Sequence, residues 1–557
     1  MKRSFRVIIS VATVALAVVA IFSAGVFATR NDFGMGRNME IMVNLMRTIS
    51  TDYVDEVDAN EIMRHGAAGI TSNLDPYTSY LAEEDMGDFK TMTTGKYGGI
   101  GAVIRQDSLY VRIAEPYKGS PADLAGLQIG DRIVAIDSRD AKGMTTAQVS
   151  DMLRGEPNTF VNVTVEKLLT GKCQTLRIKR QRISIPSISY AAYVADGVGY
   201  IRHSDFTDGC FDDMRAAILR LQSEGELRGL ILDYRNNGGG VMQSAVKILS
   251  LFLPKGTMVL ETKGRNSEES HKYYTEGEPL LPNTPIAVLI NGNSASAAEI
   301  VSGALQDLDR AVLLGERSFG KGLVQATRYL GYNSYLKLTT ARYHIPSGRC
   351  IQAERYGKDG RAQSVPDSLI NEFRTAAGRK VYDGGGIMPD IRLKADYASE
   401  FALTLYVMGL FDDFGDQYFI KHHAEQIEPK SFSISDSDYE EFMRLVESRN
   451  ITYKSASRKA LERLKKTLKE ERYDKGMEEA LEQIERQLRD DKMSNLKTYR
   501  KEITTYINSN IIQRYAYAEG VTARSTTEDN AVRSAIELLG ERERMEKILR
   551  EQDTPRK

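Results

Sequence analysis

The stretch LRGLILDYRNNGGGVMQSAVKILSLFL, residues 227–253, contains an apolar run, a glycine-rich turn and a second apolar run at helical spacing. Two later segments, PIAVLINGNSASAAEI at 285–300 and RAVLLGERSFGKG at 310–322, also place an apolar strand before a turn. Repeats of strand, turn and helix are typical of α/β proteins with a largely parallel sheet. Because such sheets bind ligands where strands end and helices begin, we expect the chemistry of residues 196–395 in these turns.

The region before this core has a different pattern. Residues 37–72 carry apolar side chains at helical spacing, and the pattern stops at Asp75 and Pro76. One or two helices are therefore predicted there. From Gly95 onward, short alternating strands and glycine-rich turns indicate another domain.

Two short helices are predicted within this second domain. In GSPADLAGLQIGDRIVAID, residues 119–137, Ser120 is placed to cap a helix that begins with Pro121 and ends at Gly126. The segment TTAQVSDMLRG, residues 145–155, predicts the other helix, with Thr145 or Thr146 as its cap, and the strand VNVTVEKL follows it.

Together with YGGIGAVI ahead of them, these features resemble a PDZ domain over about residues 95–180. The resemblance implies that Gly99, Ile100 and Gly101 hold the carboxylate of a peptide C-terminus with backbone N–H groups, while the peptide adds a strand to the sheet. Arg154, at the end of the second helix, is a candidate sensor of that carboxylate. The alternative for Arg154 is a solvent-exposed arginine stabilised by the helix dipole.

Composition limits the classes of function. The chain has 557 residues, enough for several domains, with 41% hydrophobic and 27% charged residues. A formal net charge of −1 gives no general attraction to nucleic acid, which is therefore not an expected partner. The three cysteines, which lie far apart without a C-x-x-C pair, indicate neither a disulfide framework nor a zinc site. His422 and His423 are expected in a solvated loop.

The N-terminus predicts export. Lys2, Arg3 and Arg6 precede an uncharged apolar run at residues 7–28, which is long enough to cross a bilayer as a helix. The basic residues favour a cytoplasmic N-terminus, so the body is expected on the periplasmic side of an inner-membrane anchor. Val26-Phe27-Ala28 also resembles a cleavage site, which would leave a periplasmic protein.

The segment GERSFGKGLVQ, residues 315–325, fits three patterns. A phosphate-binding loop would need Ser or Thr after Lys321, where a glycine stands. Ser318 and Lys321 match the S-x-x-K of penicillin-recognising enzymes, but Gly320 is a poor helix former and no S-D-N or K-T-G follows. In the third pattern, Lys321 acts on the hydroxyl of a serine elsewhere in the chain, and Gln325 lies one helical turn after Lys321.

That serine is in SASAAEI, residues 294–300, after the strand PIAVLI. Ser296 and Glu299 also form the S-x-x-E of a capping box, which alone would explain the serine. However, SASAAEI with GKGLVQ, LKLTTARYHIPSGRCIQ and DGGGIMPDI resembles the carboxyl-terminal processing proteases, also called tail-specific proteases. The resemblance extends from about residue 40 to 395 and includes the PDZ insertion and LDYRNNGGG.

The resemblance implies a multidomain α/β fold with a crotonase/ClpP-like protease core. We expect an anchor or signal peptide at 1–30, an N-terminal helical region at 31–85, a PDZ domain at 86–180, the protease core at 181–395 and a charged helical extension at 396–557. Amphipathic helices of the extension, such as the one marked by Leu461, Leu464 and Leu468, are expected to pack on the body or on a second subunit.

The resemblance also implies roles for particular residues. Ser296 is the nucleophile, Lys321 the general base and Gln325 the residue that orients the base; the N–H groups of Ala297 and a loop glycine, here taken as Gly239, stabilise the oxyanion. A lysine takes a proton only when neutral, which requires apolar surroundings and no carboxylate partner. No histidine, metal or organic cofactor is expected.

The expected substrates are proteins with exposed, apolar C-terminal tails, and a homo-oligomer is possible. The alternative functions are a catalytically inactive PDZ adaptor and an S-x-x-K enzyme that uses Ser318 and Lys321.

Overall fold

The computed structural model describes residues 30–357, 361–394, 398–449, 451, 453, 455–473, 476–488 and 492–550. These residues form two compact units: residues up to 83 with 325–339 and 356–362, and the rest of the chain. The predicted membrane anchor at 7–28 lies outside the described residues. Among those that are described, no helix is long and apolar enough to cross a bilayer.

The first unit begins with two helices and a short strand: α1 (Arg30–Asp52), α2 (Ala59–Thr71) and β1 (Ser79–Leu81). The prediction of helices ahead of Asp75 is confirmed. Asp75 Oδ1 accepts the N–H groups of Tyr77 and Thr78 at 2.8 and 2.9 Å, and these bonds turn the chain into β1. Strand β1 pairs antiparallel with residues 335–337 of a long later strand.

The second unit begins with a small β domain. Its elements are α3 (Met86–Thr94), β2 (Lys96–Gly99), β3 (Ala102–Asp107), β4 (Tyr110–Pro116), α4 (Pro121–Leu124), β5 (Arg132–Ile136), β6 (Arg139–Asp140), α5 (Thr146–Leu153), β7 (Phe160–Glu166), β8 (Cys173–Lys179) and β9 (Gln181–Ser184). The sheet has the order β3-β4-β5-β7-β8, and β2 pairs separately with β9. Both predicted helix starts are confirmed, because Ser120 caps α4 and Thr145 caps α5.

The α/β core follows. Its elements are β10 (Ile188–Ala195), β11 (Val198–His203), α6 (Cys210–Glu224), β12 (Gly229–Asp233), α7 (Met242–Leu249), β13 (Met258–Gly264), β14 (His271–Tyr274), β15 (Ile286–Ile290), α8 (Ala297–Asp307), β16 (Val312–Gly315), β17 (Leu323–Gly331), β18 (Ser334–His344), β19 (Glu354–Tyr356), β20 (Ala362–Ser364), β21 (Glu372–Arg374), β22 (Lys380–Tyr382) and β23 (Ile391–Arg392).

The main sheet of this core has the order β10-β11-β12-β15-β16-β23. Only β10 runs antiparallel to its neighbour among these strands, so the predicted, largely parallel sheet is confirmed. Alternate residues of each strand point to opposite faces. Leu230, Val288 and Leu313 pack with α6, α7 and α8 on one face, while Ile231 and Leu289 belong to the core on the other face.

The rest of the chain is helical. Its helices are α9 (Glu400–Val407), α10 (Leu410–His422), α11 (Asp436–Ser448), α12 (Ala456–Glu470), α13 (Glu478–Gln487), α14 (Lys492–Thr498), α15 (Arg500–Glu528), α16 (Asn530–Gly540) and α17 (Arg542–Arg550). A separate apolar core joins α9, α10, α11, α14 and α15. Val532, Leu538 and Met545, from α16 and α17, instead cover the second face of the main sheet. The end of the predicted extension is therefore a layer of the α/β core.

The helical region also contacts the β domain through a buried charge cluster. Asp416 of α10 accepts from Arg112 of β4 at 2.9 Å and from Arg514 of α15 at 2.5 Å, and all three side chains are nearly buried. A buried carboxylate needs such cations, since an unpaired buried charge costs several kcal/mol.

Candidate active site

Ser296 lies where strand β15 ends and helix α8 begins, in the turn that the sequence singled out. Its backbone has φ +55° and ψ −114°, a conformation that is uncommon for a residue with a side chain and costs on the order of 1–3 kcal/mol. The Ser296 carbonyl accepts from Ile300 N at 2.9 Å, and the hydroxyl oxygen of Tyr343 lies 3.3 Å from it. Ser296 is thus held, half-buried, in a strained turn beyond the C-terminal end of β15, which lies inside the sheet.

Glu299, three residues into helix α8, links this serine to the lysine segment. Its carboxylate is fully buried and accepts four hydrogen bonds. Oε2 accepts from Ser296 N at 2.8 Å and Lys321 N at 2.9 Å, and Oε1 accepts from Gly320 N at 2.7 Å and Ser318 Oγ at 2.5 Å. The predicted contact from Glu299 back to the serine is confirmed, and the same carboxylate also fixes the backbone of Lys321.

The surroundings of Glu299 affect its ionisation. Burial raises the pKa of Glu299 to about 7, although the four donors oppose this by stabilising the charged form. The carboxylate is therefore poised between its two protonation states near neutral pH.

The structure excludes the two alternative patterns for residues 315–325. No helix forms there, because β16 ends at Gly315 and β17 begins at Leu323. A phosphate-binding loop and an S-x-x-K motif both require a helix at this position. The Ser318 hydroxyl is buried, donates to Glu299 and accepts from Ile387 N at 2.6 Å.

Lys321 itself lies in the extended segment before β17 and is half-buried. Its carbonyl accepts a short hydrogen bond from the hydroxyl of Tyr343, and the same hydroxyl oxygen lies 3.3 Å from the Ser296 carbonyl. Tyr343 and Glu299 therefore bridge the backbones of the predicted nucleophile and the predicted base from two sides.

Gln325 is part of the first unit, and its predicted spacing from Lys321 by one helical turn is wrong, because it lies on strand β17. Its Nε2 donates to Thr339 Oγ1 at 3.2 Å, and Thr339 Oγ1 donates to Asp75 Oδ1 at 3.1 Å. The Thr339 hydroxyl has one hydrogen, which it donates to Asp75, so it can only accept from Gln325. The NH₂ end of the Gln325 amide therefore faces Thr339.

The glycine-rich loop after strand β12 packs directly on the turn before α8. Gly239 has φ +93°, and a methyl group there would lie 2.8 Å from Ala297 N and from Ser296 Cβ. Only glycine fits this close approach. The Gly239 N–H donates to Asn237 Oδ1 at 2.8 Å, so the predicted oxyanion donor has an internal partner in this structure.

One histidine lies beside this loop, contrary to the expectation that none is near the motifs. The His203 ring packs on Phe206 and Tyr234 with centroid distances of 4.3 and 5.4 Å, and its carbonyl accepts from Asn237 Nδ2 at 2.7 Å. Burial lowers the pKa of His203 to about 3, so the ring stays neutral. Its contacts are those of a core residue.

In the β domain, the structure brings the four predicted peptide-binding residues together. Gly101 has φ +80°, its carbonyl accepts from Ser120 Oγ at 2.7 Å, and Ile100 is buried. The backbone of Arg154 lies against Gly99. The Arg154 guanidinium lies at the C-terminal end of α5 and forms a short ion pair with Asp88 of α3, whose side chain is largely exposed.

Comparison with known proteins identifies the family to which the chain belongs. The family profile described as "Peptidase family S41" matches residues 197–360. A "Carboxy-terminal-processing protease" of Bartonella bacilliformis is 35% identical over 350 residues, which are 62% of this chain and 80% of the relative. This chain belongs to peptidase family S41.

Other matches extend beyond the S41 peptidase core. The profiles "PDZ domain" and "Probable PDZ-protease, C-terminal helical domain" match residues 112–167 and 401–539. A "Probable CtpA-like serine protease" of Staphylococcus aureus is 30% identical over 69% of this chain and 77% of its own length. The solved structure of a "photosystem II D1 C-terminal processing protease" is 27% identical and covers 63% of this chain and 86% of its own, with a TM-score of 0.34.

This S41 peptidase is a serine-type hydrolase with a PDZ domain, as the sequence predicted. The described residues contain no group of three or more His, Cys, Asp or Glu side chains that would hold a metal ion. Sequence reasoning missed the wider role of Glu299 and the contact from Tyr343. The S-x-x-E capping pattern indicated that Glu299 contacts the turn at Ser296. No local pattern in the sequence indicated the contact from Tyr343.

Proposed function

We propose that the protein cleaves other proteins near their C-termini with Ser296 as nucleophile and Lys321 as general base. The observation that carries this proposal is the shared carboxylate of Glu299, which accepts the N–H groups of both residues. A nucleophile and its base must be held in a fixed mutual position, because misplacement by about 1 Å costs about 100-fold in rate.

In the proposed reaction, neutral Lys321 takes the proton from Ser296 Oγ as this oxygen attacks the carbonyl carbon of the substrate. Lys321 then gives the proton to the leaving amine, and the new C-terminal fragment departs. Water then attacks the acyl carbonyl carbon while giving a proton to Lys321, and Lys321 returns this proton to Ser296 Oγ as the ester bond breaks and the acid product leaves.

We assign the oxyanion donors to the N–H groups of Ala297 and Gly239. The approach of Gly239 to Ala297 supports this assignment. Because the Gly239 N–H now donates to Asn237, substrate binding has to transfer this donor from the Asn237 side chain to the developing oxyanion. The role of Gln325 as the residue that orients the base stays a prediction from the sequence resemblance.

The substrate class follows from the PDZ domain. Residues 99–101 and the strand after them are proposed to bind an exposed, apolar C-terminal tail by strand addition, with Arg154 as the carboxylate sensor. Export across the inner membrane, directed by residues 2–28, would give access to exported substrates. A homo-oligomer also stays a proposal.

Cleavage of a model protein with an apolar C-terminal tail, followed by mass spectrometry, tests the chemistry. Ser296→Ala and Lys321→Ala should abolish cleavage, and so should Lys321→Arg, since guanidinium does not lose its proton. Ser302→Ala is the matched control, because Ser302 is a buried serine of helix α8 that donates to Ala298 O at 2.7 Å. Activity in Ser296→Ala would refute the nucleophile. Binding of the tail without cleavage by the unaltered protein would instead support an adaptor.

A further inference from the structure

Asp529 lies at the junction of helices α15 and α16 and uses its two carboxylate oxygens for different partners. Oδ1 accepts the N–H groups of Ala531 and Val532 at 2.8 and 3.1 Å, which caps α16. Oδ2 forms an ion pair with Arg235 Nη1 at 2.7 Å. The first contact is local, whereas the second connects the helical domain to the loop after strand β12.

Arg235 is held from the other side by Asp233, the last residue of β12. The Arg235 Nε atom lies 3.0 and 3.1 Å from the two Asp233 oxygens, and Nη2 lies 2.6 Å from Oδ2. Asp233 is buried and also accepts from Tyr200 Oη at 2.6 Å. Arg235 lowers the pKa of Asp233 against the effect of burial, so this carboxylate stays charged.

The residues directly after Arg235 bond to the turn that leads to Ser296. Asn236, with φ +60°, accepts at Oδ1 from the side-chain amides of Asn291 and Asn293, both at 3.0 Å. The Asn237 carbonyl accepts from Ala295 N at 2.9 Å, and its side chain accepts the Gly239 N–H. The guanidinium of Arg235 thus lies next to the start of the loop that carries the proposed oxyanion donor.

The part of helix α15 that leads to Asp529 is also held where it begins, at residue 518. Helix α15 is interrupted at Tyr517, which has φ +55° and ψ −167°. The N–H of Ala518 follows this interruption directly, and both oxygens of Glu115 in the PDZ domain accept it at 3.1 Å. Residues 518–528 are fixed by the PDZ domain where they begin and by the Asp529–Arg235 pair where they end.

We propose that Asp529 is a positioning residue for proteolysis: by holding Arg235, it fixes loop 236–240 against the backbone of Ser296 and Ala297. The proposal rests on the catalytic roles proposed above. It gives the C-terminal helical domain a part in the chemistry, because the charge that orients the loop comes from that domain.

Two substitutions at Asp529 separate capping from charge. Asp529→Asn keeps a good capping side chain and removes the charge that faces Arg235. Asp529→Glu keeps the charge, but glutamate caps a helix poorly. We expect kcat to depend on the negative charge at position 529. We expect the free energy of unfolding to depend on how well that side chain caps α16.

In numbers, Asp529→Asn should lower kcat on the tailed model protein by about 10- to 100-fold, less than the roughly 100- to 1,000-fold loss of a whole oxyanion donor. Its KM and urea midpoint should stay within error of the unaltered protein. Asp529→Glu should keep most of kcat with a lower urea midpoint. Asp436→Asn is the matched control, because the Asp436 carboxylate pairs with Arg500 at 2.5 Å on an exposed surface of the same domain. This substitution should change neither kcat nor the urea midpoint.

Unaltered kcat in Asp529→Asn would overturn the proposal. So would a parallel loss of kcat and stability in both Asp529 variants, since that pattern indicates a structural cap alone. Ser296→Ala, measured in the same assay, separates the proposed role of Asp529 from the proposed role of Ser296 as nucleophile. If it is inactive while Asp529→Asn is fully active, only the role of Asp529 fails; if it is active, the nucleophile assignment fails.

Discussion

Replacing Glu299 with glutamine should change how the stability of the protein depends on pH. The pKa of Glu299 is about 7 in the folded protein, against 4.5 for an ordinary glutamate. Between these two values the folded state retains a proton that the unfolded chain has lost. The free energy of unfolding therefore falls as pH rises from about 4.5 through 7 and is constant above that range.

The magnitude follows from the size of the shift. One pKa unit corresponds to about 1.36 kcal/mol, so the titration of Glu299 removes about 3 kcal/mol of stability across this window. Glutamine does not titrate and avoids this loss. It also replaces one accepting oxygen with an NH₂ group, so two of the four donors lose their acceptor, at a pH-independent cost of about 1–3 kcal/mol each.

The assay is urea unfolding followed by far-UV circular dichroism at pH 4.5, 6 and 8. Relative to the unaltered protein, Glu299→Gln should be clearly destabilised at pH 4.5 and should regain about 3 kcal/mol of that difference by pH 8. Ser302→Ala, at a buried serine of the same helix α8 that does not titrate in this range, should give a difference that is independent of pH. A pH-independent difference for Glu299→Gln as well would refute the raised pKa and the reasoning built on it.

Other substitutions test separate parts of the structure. Leu538→Ala should destabilise the protein by about 2–5 kcal/mol in urea unfolding, because Leu538 is fully buried against the main sheet, whereas Leu464→Ala, at a 44% exposed position, should cost under about 1 kcal/mol. Equal effects would contradict α16 as a core layer. Gly239→Ala should lower kcat by at least about 100-fold, since the methyl group displaces the loop; normal turnover would show that the loop is not part of the site. Arg154→Ala should slow turnover of tailed substrates while tail affinity on the Ser296→Ala background is unchanged, and unchanged turnover would exclude the sensor. If neutral Lys321 is the base, the rate should rise with pH on a basic limb that Ser302→Ala retains; a rate independent of pH would contradict this base.

Local patterns in the sequence were sufficient for much of the fold. Ser120 and Thr145 cap helices where capping rules place them, and the strand, turn and helix segments form a largely parallel sheet. These features depend on neighbours within a few residues. The turn that holds Ser296 and the glycine loop were identified for the same reason.

Contacts between distant segments could not be predicted in this way. The spacing of Lys321 and Gln325 fits a helical turn, yet the segment is extended, because its backbone bonds to Glu299 and then joins a sheet. Similarly, the amphipathic helices beyond residue 396 predict packing on the body or on a second subunit, but not that α16 covers the main sheet, since an amphipathic stripe does not specify its partner.

The position of α16 and α17 also constrains how the chain reaches its native state. Strands β11, β12, β15 and β16 can pair as soon as they are available. In the part of the chain that the structure describes, however, one apolar face of their sheet packs against helices α16 and α17, far downstream in the chain. Closing so long a loop is slow, and an uncovered apolar sheet is prone to aggregate. A chain interrupted before residue 530 would leave that face exposed. That layer of the sheet is therefore complete only once residues 530–550 have been made.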